Sequence, residues 1–315
     1  MASSIVATET FRSHLMDKAT HDRRLVPANL HVPLIQTSLS ITLDGSQIAF
    51  SIFAILAAFH FLERPVAEIL ISLIPISLFI YNDYQNFLNL GPGGTPSTPL
   101  GYLKLSWLRL WALRDPYTAP KGREDFLPSR GILKRGQFPY RCGIRPQVVG
   151  IAPQRQIDQT GHVHLYHALR KTIGKIAFDH SKEFGTERSC IEKHGLALFA
   201  RHPVNTTCQG EICHIHDSDY SMHMALHPED SKVVLDKGWG QRHPLAWRWG
   251  FVKMPVSPDF VMVYAPRGTY ELLTISSLPA KSRIDEDELR IVSKIIGAAI
   301  WYSLAEEVEV DVCLD

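Results

Sequence analysis

A chain of 315 residues that is 45% hydrophobic and 21% charged has the length and apolar content to bury a full core. Its 33 basic residues are balanced by 32 acidic ones, which excludes a nucleic-acid binder that works through bulk charge. The 20 glycines and 20 prolines exclude a collagen-like or long low-complexity chain, and five cysteines, an odd number at this length, do not make a disulfide scaffold. Histidine is the outlier, with 11 of the 15 lying between His162 and His243.

In chain order, residues 1–46 are polar and mixed in charge, without the basic-then-apolar order of a cleaved signal peptide. Two apolar stretches follow, Ile48 to Leu62 and Ile69 to Tyr81, separated by Glu63, Arg64, Pro65 and Glu68. Each is shorter than the roughly 20 residues that a spanning helix needs. Segment 47–81 is therefore read as a transmembrane or membrane-hairpin segment, with a buried helical pair as the alternative. Leu100 to Arg114 interleaves Leu, Trp and Tyr with Lys104 and Arg109, a composition suited to a membrane interface. Between Lys104 and Arg155 there are eleven Lys or Arg against three acids, Asp115, Glu124 and Asp125. If the apolar block spans once, this excess places the C-terminal part on the cytosolic side.

Gly91 to Pro99 has linker composition, and residues 115–160 read as an extended arm, so 82–160 is taken as linker and basic arm. Helical spacing returns at Leu165 to Lys182. Short β-like runs follow at 195–201, 211–216, 220–226 and 260–265, with a short helix over Pro228 to Lys237. The last helix, after Asp285 and Asp287, carries Leu289, Val292, Ile295, Ile296 and Ala299 at i, i+3, i+4 spacing. These elements predict an α+β fold: a compact domain, 161–315, with a short antiparallel sheet and packing helices, preceded by an N-terminal membrane-associated helical segment.

The chemistry concentrates between Glu211 and Trp247. In a strand, His214 and His216 point to one face because the side-chain period is two. Asp217-Ser218-Asp219 is turn chemistry, and Tyr220 to Leu226 returns as a strand. A two- or four-residue turn pairs His214 with His223 and puts all three histidines on one face, whereas a three-residue turn sends His223 to the other. His243 follows in the loop Gly238-Trp239-Gly240-Gln241-Arg242-His243-Pro244. Converging imidazoles with Asp217 or Asp219 nearby suit either a metal held by His214, His216 and His223, or a metal-free base with hydrogen-bond donors for an enolic substrate. Arg242 suits an enolate, carboxylate or peroxide anion, or a salt bridge that pins the loop. Replacing His216 or His243 by Ala is expected to abolish turnover and spare the melting curve. Cys208 and Cys213 flank a turn and are close enough in sequence to pair, but a cytosolic placement predicts free thiols. No flavin, nicotinamide or serine-hydrolase motif is present.

The run Glu211-Ile212-x-His214-x-His216-Asp217, then His223-x-Ala225-Leu226, Lys237 to Ala246 and Tyr264-Ala265-Pro266-Arg267, resembles the fungal luciferase family. Asp83-Tyr84-Gln85, Arg145-Pro146 and Gln154-Arg155-Gln156 extend the resemblance to roughly residues 80–300. It implies a membrane-anchored enzyme with O2 as co-substrate. Luminous members of the family act on 3-hydroxyhispidin, a hydroxylated α-pyrone. The resemblance further implies a luciferase-like oxygenase in fungal secondary metabolism, acting on a hydroxylated pyrone or a polyketide-derived phenol. A cyclase, hydrolase or decarboxylase using the same site, or a non-catalytic membrane protein, is the alternative. The expected catalytic residues are His214, His216, His223, Arg242, His243 and Asp217. Trp239, Gln241, Tyr264 and Arg267 are expected to bind a small-molecule substrate.

Overall fold

The computed structural model describes residues 50–51, 53–55, 57–58, 65–121, 127–133, 138–205, 207–249, 252–267 and 283–313. All of them belong to one compact unit, Leu34–Asp315. The polar region 1–46 lies outside the described residues. Two helices, α1 (Pro65–Asn89) and α2 (Pro99–Arg109), lead to a small hairpin, β1 (Val148–Gly150) and β2 (Gln154–Gln156). Helix α3 (Val163–Asp179) precedes β3 (Phe184–Arg188), β4 (Leu196–Ala200), β5 (Glu211–Ile215) and β6 (Met222–Ala225). Helix α4 (Pro228–Asp236) precedes β7 (Gly240–Arg242), β8 (Arg248–Trp249), β9 (Val252–Lys253) and β10 (Phe260–Val263), and α5 (Arg283–Leu304) closes the fold.

Six strands form one antiparallel sheet in the order β3-β4-β5-β6-β10-β7. Strand alternation gives the sheet two unlike faces. On one, Leu198, Cys213, Ile215, Met222, Met224, Val261 and Val263 join the apolar stripes of α3 (Leu165, Leu169, Ile173, Ile176) and α5 (Leu289, Val292, Ile295, Ile296, Ala299) in a single core. On the other, one row of directly opposed residues runs His214, His223, Met262, Gln241. The α+β prediction with a short antiparallel sheet and packing helices holds.

In its described residues the segment read as linker and arm is tied to the rest of the fold. The N–H of Gly94 donates to the carbonyl of Glu192 at 2.6 Å, and Arg155 donates to the carbonyl of Pro92 at 2.8 Å. Phe87 of α1, Leu105 of α2, Ile151 and Leu245 form a second apolar cluster beside the histidine face. Gly150 starts the turn between β1 and β2 with φ +76°, a left-handed conformation that glycine adopts without a Cβ penalty.

The spanning helix expected within 47–81 is not found: among the described residues, no helix is long and apolar enough to cross a membrane. Part of that segment (47–49, 52, 56 and 59–64) lies outside the described residues. Helix α1 runs on from Pro65 to Asn89, and its last third serves for docking. There Asp83 accepts hydrogen bonds from the Tyr102 hydroxyl and from Arg109, both at 2.8 Å, and Phe87 is buried. Before that docked end, Leu73, Ile74, Ile76, Leu78, Phe79, Ile80 and Tyr81 are all exposed, so the helix is apolar all round there.

The expectation of free thiols also fails for Cys208, which forms a disulfide with Cys190, 18 residues upstream, and not with Cys213. The 3₁₀ turn Cys208–Gly210 carries Cys208 across to the β3–β4 connection. Cys213 sits in β5 with its side chain in the helix-side core, out of reach and free.

Candidate functional site

The β5–β6 connection decides the site. Beyond the pair His214 and His223, the N–H of His216 donates to the carbonyl of Ser221 at 2.9 Å, which leaves a four-residue turn, 217–220. This is a register that puts all three histidines on one face. Tyr220 takes φ +61° to close the turn. His214, His216 and His223 are almost wholly inaccessible, and one ring nitrogen from each lies within 4.8 Å of the other two.

Each ring is held from behind. His214 Nδ1 is 2.6 Å from Glu211 Oε1. That carboxylate also accepts from the Ser189 hydroxyl at 2.9 Å and from the Cys190 N–H at 2.7 Å. His216 Nδ1 is 3.1 Å from Asp219 Oδ1 and 2.8 Å from Ser221 Oγ. The other oxygen of Asp219 accepts the Gln156 N–H at 2.5 Å. His223 Nε2 faces Gln154 Oε1 at 2.8 Å. The inner atoms are then His214 Nε2, His216 Nε2 and His223 Nδ1, with the last 3.3 Å and 2.9 Å from the other two.

Burial would raise the Glu211 carboxyl, but its bonds to His214, Ser189 and Cys190 hold it below its ordinary pKa, so it is ionised. Asp219 behaves alike: burial acts upward, and His216, Arg155 and the Gln156 amide outweigh it. Burial pushes His216 down, with Asp219 offsetting only part. His223 is pushed well below its ordinary value by burial, then by its histidine neighbours and Arg155.

The remaining expected residues are spread out. His243 borders the cluster, with its ring 5.5 Å from that of His223, but both its nitrogens are engaged by backbone. Nε2 donates to the carbonyl of Ile151 at 2.8 Å, and Nδ1 accepts the Leu245 N–H at 3.1 Å. Burial lowers its pKa to about 4. Asp217 points away: it accepts the Tyr166 hydroxyl at 2.5 Å and faces Arg170 at 3.3 Å, on the α3 side. The carboxylate beside the histidines is Asp219, because the turn directs these two acids to opposite sides. Arg242 also lies outside the cluster, donating to the carbonyls of Ala246, Thr118 and Pro258.

The four residues expected to bind substrate are all buried and held by their neighbours. Trp239 is in the helix-side core and donates its indole N–H to the carbonyl of Pro139 at 2.8 Å. The Tyr264 hydroxyl donates to Gln241 Oε1 at 3.1 Å. Arg267 is fully buried and bound through Nε and Nη2 to Glu288 Oε1, at 3.1 and 2.5 Å.

Two adjoining clefts open beside the cluster. One of about 770 Å³ is lined by Arg242, Trp247, Arg248, Lys121, Asp259 and Tyr302. The other, of about 340 Å³, shares Thr207, Trp247, Arg248, Ser257 and Pro258 with it and reaches Phe260. Phe260 stacks on His223, with ring centroids 5.1 Å apart and planes at 15°, so one ring touches both the cleft and the histidines.

Ser221 and Phe260 complete the site without having been picked out by sequence reasoning; Asp219 stood there only as the alternative to Asp217, and Glu211 and Gln154 entered through the resemblance. A signal existed for the two carboxylates, which follow the pattern of an acid three residues from a histidine (Glu211 with His214, Asp219 with His216). Gln154, 69 residues from His223, carried no signal beyond its place in the resembling run Gln154-Arg155-Gln156.

A family model described as "Luciferase domain" matches residues 209–278, which takes in β5 to β10 and the histidine hairpin. A protein named "Luciferase" from Neonothopanus nambi is 31% identical over 242 residues, covering 71% of this chain and 80% of the relative. One of the same name from Armillaria mellea is 30% identical over 245 residues, covering 71% and 81%. A third, from Armillaria ostoyae, is 29% identical over 245 residues. No solved structure matches the chain.

Proposed function

We propose, from the premise that this chain belongs to the fungal luciferase family, that its histidine cluster and adjoining cleft oxidise a hydroxylated pyrone or polyketide-derived phenol with O2. As a family member the chain is a luciferase-like oxygenase, an oxidoreductase acting on a small molecule. The observation that carries the reading of the site is the meeting of three buried imidazoles under one aromatic ring, Phe260, at the end of a cleft.

An enolic ring entering the cleft meets Arg242, Arg248 and Lys121, which suit the enolate and the oxygen-bearing anion that follows. Arg242 is buried enough that its pKa is depressed although Asp259 and Asp115 act upward, and among the described residues its Nε has no hydrogen-bond partner. A guanidinium in that state gains most from an incoming anion. Phe260 is buried, so the substrate reaches the histidines when this ring turns aside. The histidine cluster then faces the bound ring and promotes loss of its enolic proton or places the reacting oxygen.

The test is oxygen uptake by the purified full chain with a panel of hydroxy-α-pyrones and phenols. Substrate-dependent consumption of O2 is expected. Turnover of a panel member without oxygen consumption would replace this reading by a cyclase, hydrolase or decarboxylase.

The same reading includes membrane association through α1 and α2. Its support is the all-round apolar stretch Leu73 to Tyr81, together with Leu100, Leu103, Trp107, Leu110 and Trp111, all exposed. Flotation of the full chain with liposomes is expected, and a chain that stays at the bottom of the gradient would remove this part. The basic arm and the Cys190–Cys208 bond favour opposite sides of that membrane. Alkylation of intact cells with a membrane-impermeant thiol reagent decides between them through Cys142, an exposed free thiol.

A further inference from the structure

We propose that His214 Nε2, His216 Nε2 and His223 Nδ1 are the three protein ligands of one divalent first-row transition-metal ion. The inference deepens the oxygenase reading by giving the same site a resident cofactor, but its geometric argument stands without any turnover.

The argument is one of proton placement. The Glu211 carboxylate can only accept, so His214 carries a hydrogen on Nδ1, and in the neutral ring the lone pair is at Nε2. Ser221 Oγ donates to Asp219 Oδ1 at 3.0 Å, so both groups facing His216 Nδ1 act as acceptors, and Nε2 is again a lone pair. Gln154 presents its carbonyl oxygen to His223 Nε2, which must then be the N–H, leaving the lone pair on Nδ1. Three imidazole lone pairs thus face one another, buried and with no proton among them. Such an arrangement is repulsive when empty and is what a cation requires.

The spacing agrees. Histidine nitrogens at about 2.0–2.1 Å from a metal lie roughly 2.9 to 3.4 Å apart at octahedral to tetrahedral angles. The distances from His223 Nδ1 to the other two ligand atoms are 2.9 and 3.3 Å. The outer partners also agree, since histidine ligands donate their second N–H to a carboxylate or carbonyl, which fixes tautomer and ring orientation. Here that partner is Glu211, Asp219 or the Gln154 amide. Three neutral histidines leave further coordination positions open, as in a catalytic and not a structural site. Neutral nitrogen donors suit zinc, iron, nickel or copper and disfavour calcium and magnesium.

A rival arrangement exists. Turning the Gln154 amide over would let its Nε2, which is buried without a partner among the described residues, donate to His223 Nε2. His223 Nδ1–H would then bridge to His216, with no metal needed. The experiment separates the two. The full chain, purified without chelator, is analysed by plasma mass spectrometry. It is then stripped and titrated with Zn(II), and with Co(II) as a visible-absorption probe.

Close to one equivalent of metal per chain is expected, with Co(II) bands of a nitrogen-ligated centre and a higher Tm on Zn(II) addition. His223→Ala should abolish binding. Glu211→Gln keeps the fold and should weaken binding about 10- to 100-fold. Metal well below one equivalent both as purified and after titration, with Tm unmoved, would overturn the proposal in favour of the amide-turned network. Stoichiometric metal without oxygen uptake on any substrate would count against the oxygenase reading alone. Oxygen uptake by fully metal-free protein would count against the metal site alone.

Discussion

The two faces of the central sheet obey different rules. On the helix side, α3 and α5 bury leucine, isoleucine, valine and methionine, and stability there follows area and fit, with no group depending on a single partner. On the other side, five ionisable residues (Glu211, His214, His216, Asp219 and His223) are buried together, and each needs its neighbour. Burying charge is costly unless it is paired, so a fold accepts such a face only where chemistry requires it. One sheet therefore keeps an apolar core and a buried ionisable cluster a single side-chain layer apart.

The contrast can be broken from either side. The largest effect is expected from His216→Ala, which strips the buried Asp219 carboxylate of its main partner and should cost about 3–5 kcal/mol as well as all turnover. This replaces the expectation that such a variant spares the melting curve, because the buried Asp219 depends on His216. Ile295→Ala in α5 should cost about 2–5 kcal/mol and leave turnover per folded molecule unchanged. Chemical denaturation paired with oxygen uptake checks both, and equal loss of activity in the two variants would erase the distinction between the faces.

Arg267→Met sharpens it further. The fully buried pair with Glu288 predicts a loss of about 3–5 kcal/mol with the substrate affinity of the folded fraction unchanged. A selective rise in KM would return Arg267 to the binding site. Next is the pair of turn acids: Asp217, a third exposed in its ion pair with Arg170, should tolerate Asn at a cost below about 1 kcal/mol. Asp219→Asn should remove turnover.

The smallest effect is one of pH. Burial raises the Tyr264 hydroxyl from 10.0 to about 12, so the folded state favours its neutral form. That contribution is complete below pH 10 and is lost as pH rises through 12. Tyr264→Phe should flatten the fall of Tm across that window.

Much of this was readable in the chain. Period two placed His214 and His216 together, and the i, i+3, i+4 stripes of α3 and α5 marked the covering helices. The register of His223 was open because it depends on the turn, and the turn depends on Tyr220 taking positive φ, which no pattern announces. Asp217 and Asp219 flank one serine and look alike until the backbone direction is known. Arg267 stood in a distinctive motif, yet Glu288, which claims it, lies 21 residues further on. Gln154 belongs to a segment that reads as a featureless arm, because its role is purely tertiary. The apolar block around α1 was legible as apolar, but not as a helix docked by its polar end.

The most direct test of the central claim is oxygen uptake with a hydroxy-α-pyrone by wild type and His223→Ala, with near-UV circular dichroism of both. His223 bonds a neutral amide, so its loss leaves no carboxylate unpaired and the fold should persist. The account predicts superimposable spectra and a fall in uptake of at least about 100-fold. A folded His223→Ala variant that consumes oxygen at the wild-type rate would contradict it.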